Sequence, residues 1–370
     1  MMKSNSNKVA HFNGISFALL FFAVASAFVI PFITVGGIFS MVDVKKMQIP
    51  VYFAYFDWIP AVFLFVLGVG LAIQSKNKSQ SSQKLRVNTQ RKGALLLGLG
   101  LLFAGTWGMN FFIILGASFI IGSWLLRLDS LTIHVASLTV ILLSLVLVNL
   151  DVPFKYKYFV FDVQVDGVAK LLAFVGFNGY YSIFPWVALF ISGLAVGKGV
   201  LRPRGFFPPT SFIALFIIVL GYMTNIYCID LYAQMDSFSA KFLYPFDQFL
   251  YQPSFVLINI GMGWLIINFL NHLFEIIGER AWIPLIKDLA TSKLTVLFLI
   301  YLMGSLFMMG FAYSGTIVIG FAHPYLLSTF LILALSAIFW SILFWKRKVN
   351  KNAPLEWLIK YISSKDNSGK

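Results

Sequence analysis

The chain has 370 residues, of which 59% are hydrophobic and only 11% charged, and a mean hydropathy of +0.85. A soluble domain is about half apolar and roughly a quarter charged. A soluble enzyme, a disordered chain and a wet-surfaced solenoid are therefore excluded, and an all-α polytopic membrane protein is expected. The 28 Lys and Arg against 14 Asp and Glu give a net charge of +14. These cations lie between apolar runs, so they read as topology signals, and a lipid-facing surface leaves no basic face for nucleic acid.

In chain order, residues 1–13 form a short basic N-terminus. The apolar run after it is longer than a signal-peptide core and lacks a small-residue cleavage site, so it reads as an uncleaved first span. Crossing the hydrocarbon core takes about 20 residues. Spans are expected at 14–38, 56–74, 131–150, 181–201, 209–227, 254–275, 293–313 and 320–345. The stretch 93–126 holds 34 residues without a charge, which as one helix would be near 50 Å long. Its middle, Gly105-Thr106-Trp107-Gly108-Met109-Asn110, suits an interfacial turn between two crossings.

Charge counting separates the alternatives. Two crossings over 93–126 give ten spans, with 22 Lys and Arg on the side of the N-terminus and 6 on the other. One crossing gives 12 and 16. The positive-inside rule thus favours ten spans with both termini cytoplasmic. The whole chain then reads as one integral-membrane domain, with a bundle over 14–345 and a basic cytoplasmic tail over 346–370, too short and polar to be a domain. The inner loop 75–92 reads as a flexible polar linker with six positive charges. The outer loops 151–180 and 228–253 are rich in Tyr and Phe, as an interfacial aromatic belt requires.

Ionisable residues inside or at the edge of a span are functional candidates by default. Asp57 stands at the outer end of the second span, either as a helix cap before Pro60 or as a carboxylate facing an outer cavity. His323 opens the last span on the outer side and is a candidate general base there. His134 and His272 lie near inner span ends, His272 three residues before Glu275. Asn259, Asn268 and Asn271 are polar positions on an apolar span and are expected to face the bundle interior, as glue or cavity lining. Gly68, Gly98, Gly100, Gly261 and Gly263 suit close helix packing. The single cysteine, Cys228, permits no intrachain disulfide or thiolate cluster. No metal motif, Walker loop or nucleophile elbow is present.

Several segments together resemble one family. Tyr55-Phe56-Asp57-Trp58-Ile59-Pro60 with the following Gly-containing helix is similar to a segment of the heparan-alpha-glucosaminide N-acetyltransferase-like proteins, which include a bacterial YeiB-like branch. Pro185-Trp186 followed by Gly193, Gly197 and Lys198 resembles the family's central helix. Gln252-Pro253-Ser254 resembles the start of a later span, and Thr291-Ser292-Lys293-Leu294-Thr295 a later turn. Ala353-Pro354-Leu355-Glu356-Trp357-Leu358 is close to the YeiB-like C-terminal signature. The resemblance implies a transmembrane acyltransferase that takes an acyl group from cytoplasmic acyl-CoA, such as acetyl-CoA, and delivers it to a sugar or glycan on the far side of a bacterial cytoplasmic membrane. On this reading Asp57 and His323 are the catalytic candidates. Arg91, Lys92, Arg127, Lys198, Arg202 and Arg204 meet the donor phosphates, and Pro185, Trp186, Asn268, Asn271 and His272 line the cavity. Partners are membrane lipid and the acceptor, with a homodimer left open. Two departures stand out. The family's N-terminal Asp and Arg are absent from Val9-Ala10-His11-Phe12-Asn13-Gly14, and residues 40–50 contain no histidine. A transporter or scaffold on the same bundle is the rival reading.

Overall fold

The computed structural model of the chain describes residues 15–25, 58–76, 82–102, 110–149, 183–199, 209–234, 253–277, 289–299, 302 and 324–364. Every regular element among them is helical. In chain order these are α1 (Ile15–Ala25), α2 (Trp58–Ser75), α3 (Ser82–Leu102), α4 (Asn110–Leu125), α5 (Ser130–Asn149), α6 (Ile183–Gly199), α7 (Pro209–Gln234), α8 (Pro253–Ile277), α9 (293–299), α10 (Pro324–Lys348) and α11 (Pro354–Ser364). Among the described residues, α2 and Ser254–Ile276 of α8 are long and apolar enough to cross a membrane.

Local chemistry fixes the helix starts. α7, α8, α10 and α11 each begin at a proline. A missing N–H costs nothing in the first turn, where it would have no partner, and the fixed φ is already helical. In α6 the Phe184–Pro185 peptide is cis and Phe184 is extended at φ −99°, ψ 127°, so regular helix runs from Pro185. Asp129 caps α5. Its Oδ2 accepts the N–H groups of Leu131 at 3.1 Å and Thr132 at 3.2 Å, satisfying first-turn donors. The Thr132 hydroxyl also donates to Asp129, and these bonds hold its carboxyl below the ordinary 3.8.

The stretch 93–126 is two helices. A Cβ on Gly93 would lie 2.7 Å from the Gly116 carbonyl oxygen, and one on Gly100 would lie 2.6 Å from the Ile113 nitrogen. Residues rising along α3 therefore meet residues falling along α4, and the pair is antiparallel. The expected flexible linker over 75–92 is corrected in its second half: α3 begins at Ser82. Leu85, Thr89, Gly93, Leu96 and Gly100 form one buried stripe at helical spacing. The polar residues between them occupy the other faces, and Arg86 rests over the Trp124 ring, 3.9 Å from its centroid.

The chain divides into two compact units, Met1–Ala18 with Ala61–Gly278, and Leu19–Pro60 with Glu279–Lys370. In the first unit α2 crosses α6 at Gly68 and Gly193, each of which faces the other helix's backbone at Phe190 and Phe65. No side chain larger than hydrogen fits either place, as close small-residue crossings in lipid require. Gly261 and Gly263 are likewise packed, against Ala214 and Phe65, whereas Gly98 has nothing within 4 Å. Close packing at Gly98 is therefore corrected.

Paired contacts give the helix directions. Ser130 and Ser137 of α5 donate to Ala195 and Ala188 of α6, both at 2.9 Å, so this pair is antiparallel. Gly221 of α7 meets Ser254 of α8, while Asn268 of α8 reaches Thr210 and Ser211 of α7, so that pair is antiparallel too. Phe63 meets Phe111 and Leu71 meets Gly122, so α2 and α4 run together. Trp186 packs on Phe255 at 5.8 Å, and Gly193 and Gly263 both meet Phe65, so α6 and α8 run together. From α2 to α8 the directions alternate at every step.

Large apolar side chains lie on the outside of the described helices. α7 exposes Phe212, Ile213, Phe216 and Val219, and α5 exposes Leu131, Val135, Leu138 and Leu142. The interior of the first unit is also apolar, around Phe63, Phe65, Phe111, Phe112, Phe190 and Trp186. Helices apolar on both faces suit a lipid surround.

In the second unit α9 and α11 cap one another. Glu356 Oε1 accepts the N–H groups of Leu294 at 2.9 Å and Thr295 at 3.2 Å, and its Oε2 accepts the Thr295 hydroxyl. Thr295 Oγ1 in turn accepts the Leu355 N–H at 3.0 Å. Each helix thereby supplies an oxygen for the other's unpaired first-turn donors. α11 gives the basic tail over 346–370 a short helix of 11 residues.

Candidate functional site

Among the described residues of the first unit, one face of α8 gathers several buried polar side chains. Trp264, Asn268, Asn271 and Glu275 follow at spacings of 4, 3 and 4, which places them in one stripe. Asn268 is 2% exposed. Its amide donates to Thr210 Oγ1 at 3.2 Å and Ser211 Oγ at 3.1 Å, tying α8 to the first turn of α7. One turn further, Asn271 is 0% exposed, and neither its amide nitrogen nor its oxygen has a hydrogen-bond partner among the described residues. His272 Nδ1 lies 3.8 Å from Glu275 Oε2, with both side chains about one-fifth exposed. The cluster therefore grades from a buried amide to a partly solvated acid–imidazole pair at the end of α8.

Asn259 lies in the other half of α8. It is 1% exposed, and its amide donates to the Phe255 carbonyl at 2.8 Å. All three asparagines thus face the bundle interior, as expected. Only Asn268 acts as glue between helices. The in-helix bond of Asn259 leaves its Oδ1 without a partner among the described residues. Pro185 and Trp186 are buried at the start of α6, where Trp186 packs on Phe255. They lie towards the opposite end of the bundle from Asn271, so the five lining candidates form two groups rather than one.

The basic candidates divide in a similar way. Lys198, in the last turn of α6, donates to the Leu128 carbonyl at 2.6 Å and also to the Leu126 carbonyl. Both carbonyls lie in the turn between α4 and α5. The contact brings Lys198 beside exposed Arg127 in the same turn. It also commits two of the three ammonium donors to the backbone. Arg91 and Lys92 are half-buried on α3. Arg202, Arg204, Asp57 and His323 lie outside the described residues.

Sequence reasoning missed the partners that give Asn268 its role, Thr210 and Ser211. A Thr-Ser pair right after Pro209 was the available signal, because first-turn hydroxyls are placed to accept. It also missed that the segments 291–295 and 353–358 are a single structural feature, joined through Thr295 and Glu356. Among the described residues no three metal-ligating side chains converge. Compared with known proteins, the chain matches no family model, no curated protein and no solved structure.

Proposed function

We propose that this protein crosses a membrane ten times with both ends in the cytoplasm, and that it passes an acyl group from cytoplasmic acyl-CoA to a hydroxyl or amine of an extracytoplasmic sugar. The strict alternation of helix direction from α2 to α8 supports the topology, since each crossing must reverse the last. The antiparallel α3–α4 pair supports two passes over 93–126, the arrangement that puts 22 of 28 cations on one side.

The observation that carries the chemical reading is the buried Asn271 amide. A buried polar group without a partner costs about 1–3 kcal/mol, and an amide-bearing ligand recovers that cost by pairing with both atoms. The pantetheine arm of CoA carries two amides of that kind. On the proposed topology Asn271 lies in the cytoplasmic half of α8, on the side that holds Arg202 and Arg204, whose cations suit the donor phosphates. Asp57 and His323 fall on the outer side, where the acceptor is deprotonated. The acceptor oxygen or nitrogen attacks the thioester carbonyl carbon, the C–S bond breaks, and the acceptor's proton passes through the base to the departing thiolate. The departures from the family pattern at residues 9–14 favour the alternative, a transporter or scaffold that holds a polar solute at Asn271.

The test is transfer of label from radioactive acetyl-CoA to envelope glycan in membrane vesicles that expose the cytoplasmic face. The wild-type chain is expected to transfer label, and Asp57→Asn or His323→Ala to lose at least a hundredfold, the lower range for removing a general base. Vesicles that bind acetyl-CoA yet move no label to any glycan would reverse the choice between enzyme and transporter.

A further inference from the structure

α10 and α11 are joined by a turn over 349–353, and a recess of about 510 Å³ opens against that turn. Its lining includes Lys351, Asn352, Trp357, Lys360 and Tyr361. The Trp345 indole N–H donates to the Asn352 carbonyl at 3.0 Å, and the Asn352 N–H donates to Asn350 Oδ1 at 2.9 Å. The turn is thus held by both its own side chains and the end of α10. Trp357 and Tyr361, one helical turn apart, stack at 5.6 Å with 22° between their planes. They are nonetheless 40% and 51% exposed. An outward-facing aromatic stack beside two lysines is costly in plain water and well suited to the headgroup layer of a bilayer.

Charge points to the same surroundings. Within 324–364 the basic residues are Lys346, Arg347, Lys348, Lys351 and Lys360, and Glu356 is the only acid. That carboxylate is occupied by Leu294 and Thr295 at the α9 start. The face of α11 that carries Trp357, Lys360 and Tyr361 therefore has no acid of its own, and Lys360 meets no competing carboxylate on the same helix.

From this we infer that the recess between the α10–α11 turn and the outer face of α11 is a binding site for the phosphate headgroup of an anionic phospholipid. Lys351 and Lys360 donate to the phosphate oxygens, the Trp357–Tyr361 stack sits at glycerol level, and α11 lies along the membrane surface. The site is separate from acyl transfer. It rests only on the reading that α10 spans the bilayer and ends at its surface.

The experiment uses the full chain reconstituted in symmetric vesicles, so the outcome depends neither on sidedness nor on catalysis. Trp357 fluorescence is isolated as the difference between wild type and Trp357→Phe. Quenching is compared for brominated phosphatidylglycerol and brominated phosphatidylcholine at equal mole fraction, with and without excess glycerol phosphate. A surface lysine is worth about fivefold in affinity for an anionic lipid face. The anionic lipid is thus expected to quench at mole fractions at least tenfold lower, and Lys351→Glu/Lys360→Glu is expected to erase the preference while the chain remains folded. Equal quenching by both lipids would overturn the headgroup site, and no quenching by either would overturn the surface placement of α11. Loss of the preference in glycerol phosphate would show that soluble phosphate, not lipid, is the occupant, and would also overturn the inference.

Discussion

Asn271 and Asn268 are one turn apart on α8, yet replacing each with leucine should have opposite effects on stability. Leucine has the same number of side-chain heavy atoms as asparagine and the same branch point, so it removes the polar atoms with little change of shape. At Asn271 both polar atoms are buried and have no partner among the described residues. Removing them relieves a cost of about 1–3 kcal/mol. Part of that gain is offset by fitting tetrahedral methyl groups where a planar amide stood, which leaves a net gain of roughly 1–2 kcal/mol. For a chain this long that is a rise of roughly 1–3 °C in unfolding midpoint. At Asn268 the same change breaks the bonds to Thr210 and Ser211. Interhelical bonds in membranes average roughly 0.6 kcal/mol each, so Asn268→Leu should cost about 1 kcal/mol and lower the midpoint. The assay is thermal unfolding of the detergent-purified proteins, read by the loss of monodisperse protein in size exclusion. A midpoint for Asn271→Leu below wild type would show that the amide is satisfied in the protein and would remove the basis for a polar ligand there. Added acetyl-CoA sharpens the comparison: it should stabilise wild type and not the Asn271→Leu variant.

Other substitutions test the framework around the site. A methyl at Gly193 or Gly68 would collide with the opposite backbone. Gly193→Ala is thus expected to destroy folded yield, whereas Gly98→Ala, with open space around it, should gain up to about 1 kcal/mol from helix propensity. Size-exclusion profiles of the two variants would measure the contrast. Glu356→Ala removes the shared cap of α9 and α11 and should cost about 1.5–3 kcal/mol, as expected for bonds to a charged acceptor. Glu356→Gln should recover part of that loss in the same unfolding assay. Asp129 has a folded pKa below its ordinary 3.8 because Thr132 donates to it through its hydroxyl and its backbone. Its contribution is therefore present above pH 3.8 and is lost as pH falls through the lower folded value. Asp129→Asn should flatten the acid limb of the stability–pH profile, and an unchanged limb would mean the cap does not hold in solution.

The all-helical class and the polarity of the α8 interior could be read from the sequence because they rest on period and composition. The charge balance around 93–126 already implied two helices there, and the expected turn at its centre lies largely outside the described residues. Asn259, Asn268 and Asn271 are three amides on one otherwise apolar span, and the cost of an amide in apolar surroundings places them inward. The early start of α3 is hidden in the sequence because six cations surround the buried stripe at Leu85, Thr89 and Gly93. Composition averages over faces, whereas packing uses only one of them. The role of Lys198 could not be read in advance. A lysine at a span end signals topology, and only the fold brings it to carbonyls some seventy residues earlier in the chain. Glu356 and Thr295 were prominent as sequence motifs, but their function as each other's helix cap emerges only when residues sixty apart are brought together.

The central claim is that the cytoplasmic side of this bundle receives acyl-CoA. The most direct test is calorimetric titration of acetyl-CoA, and of desulfo-CoA, which lacks the thiol, into the detergent-purified chain, with Arg202→Glu/Arg204→Glu as control. Both compounds are expected to bind at micromolar concentration, since phosphates and pantetheine amides carry the recognition, and that binding is expected to be lost in the control. Absence of heat from a monodisperse, folded protein would contradict the donor half of the proposal and leave the polar stripe of α8 to a transported solute.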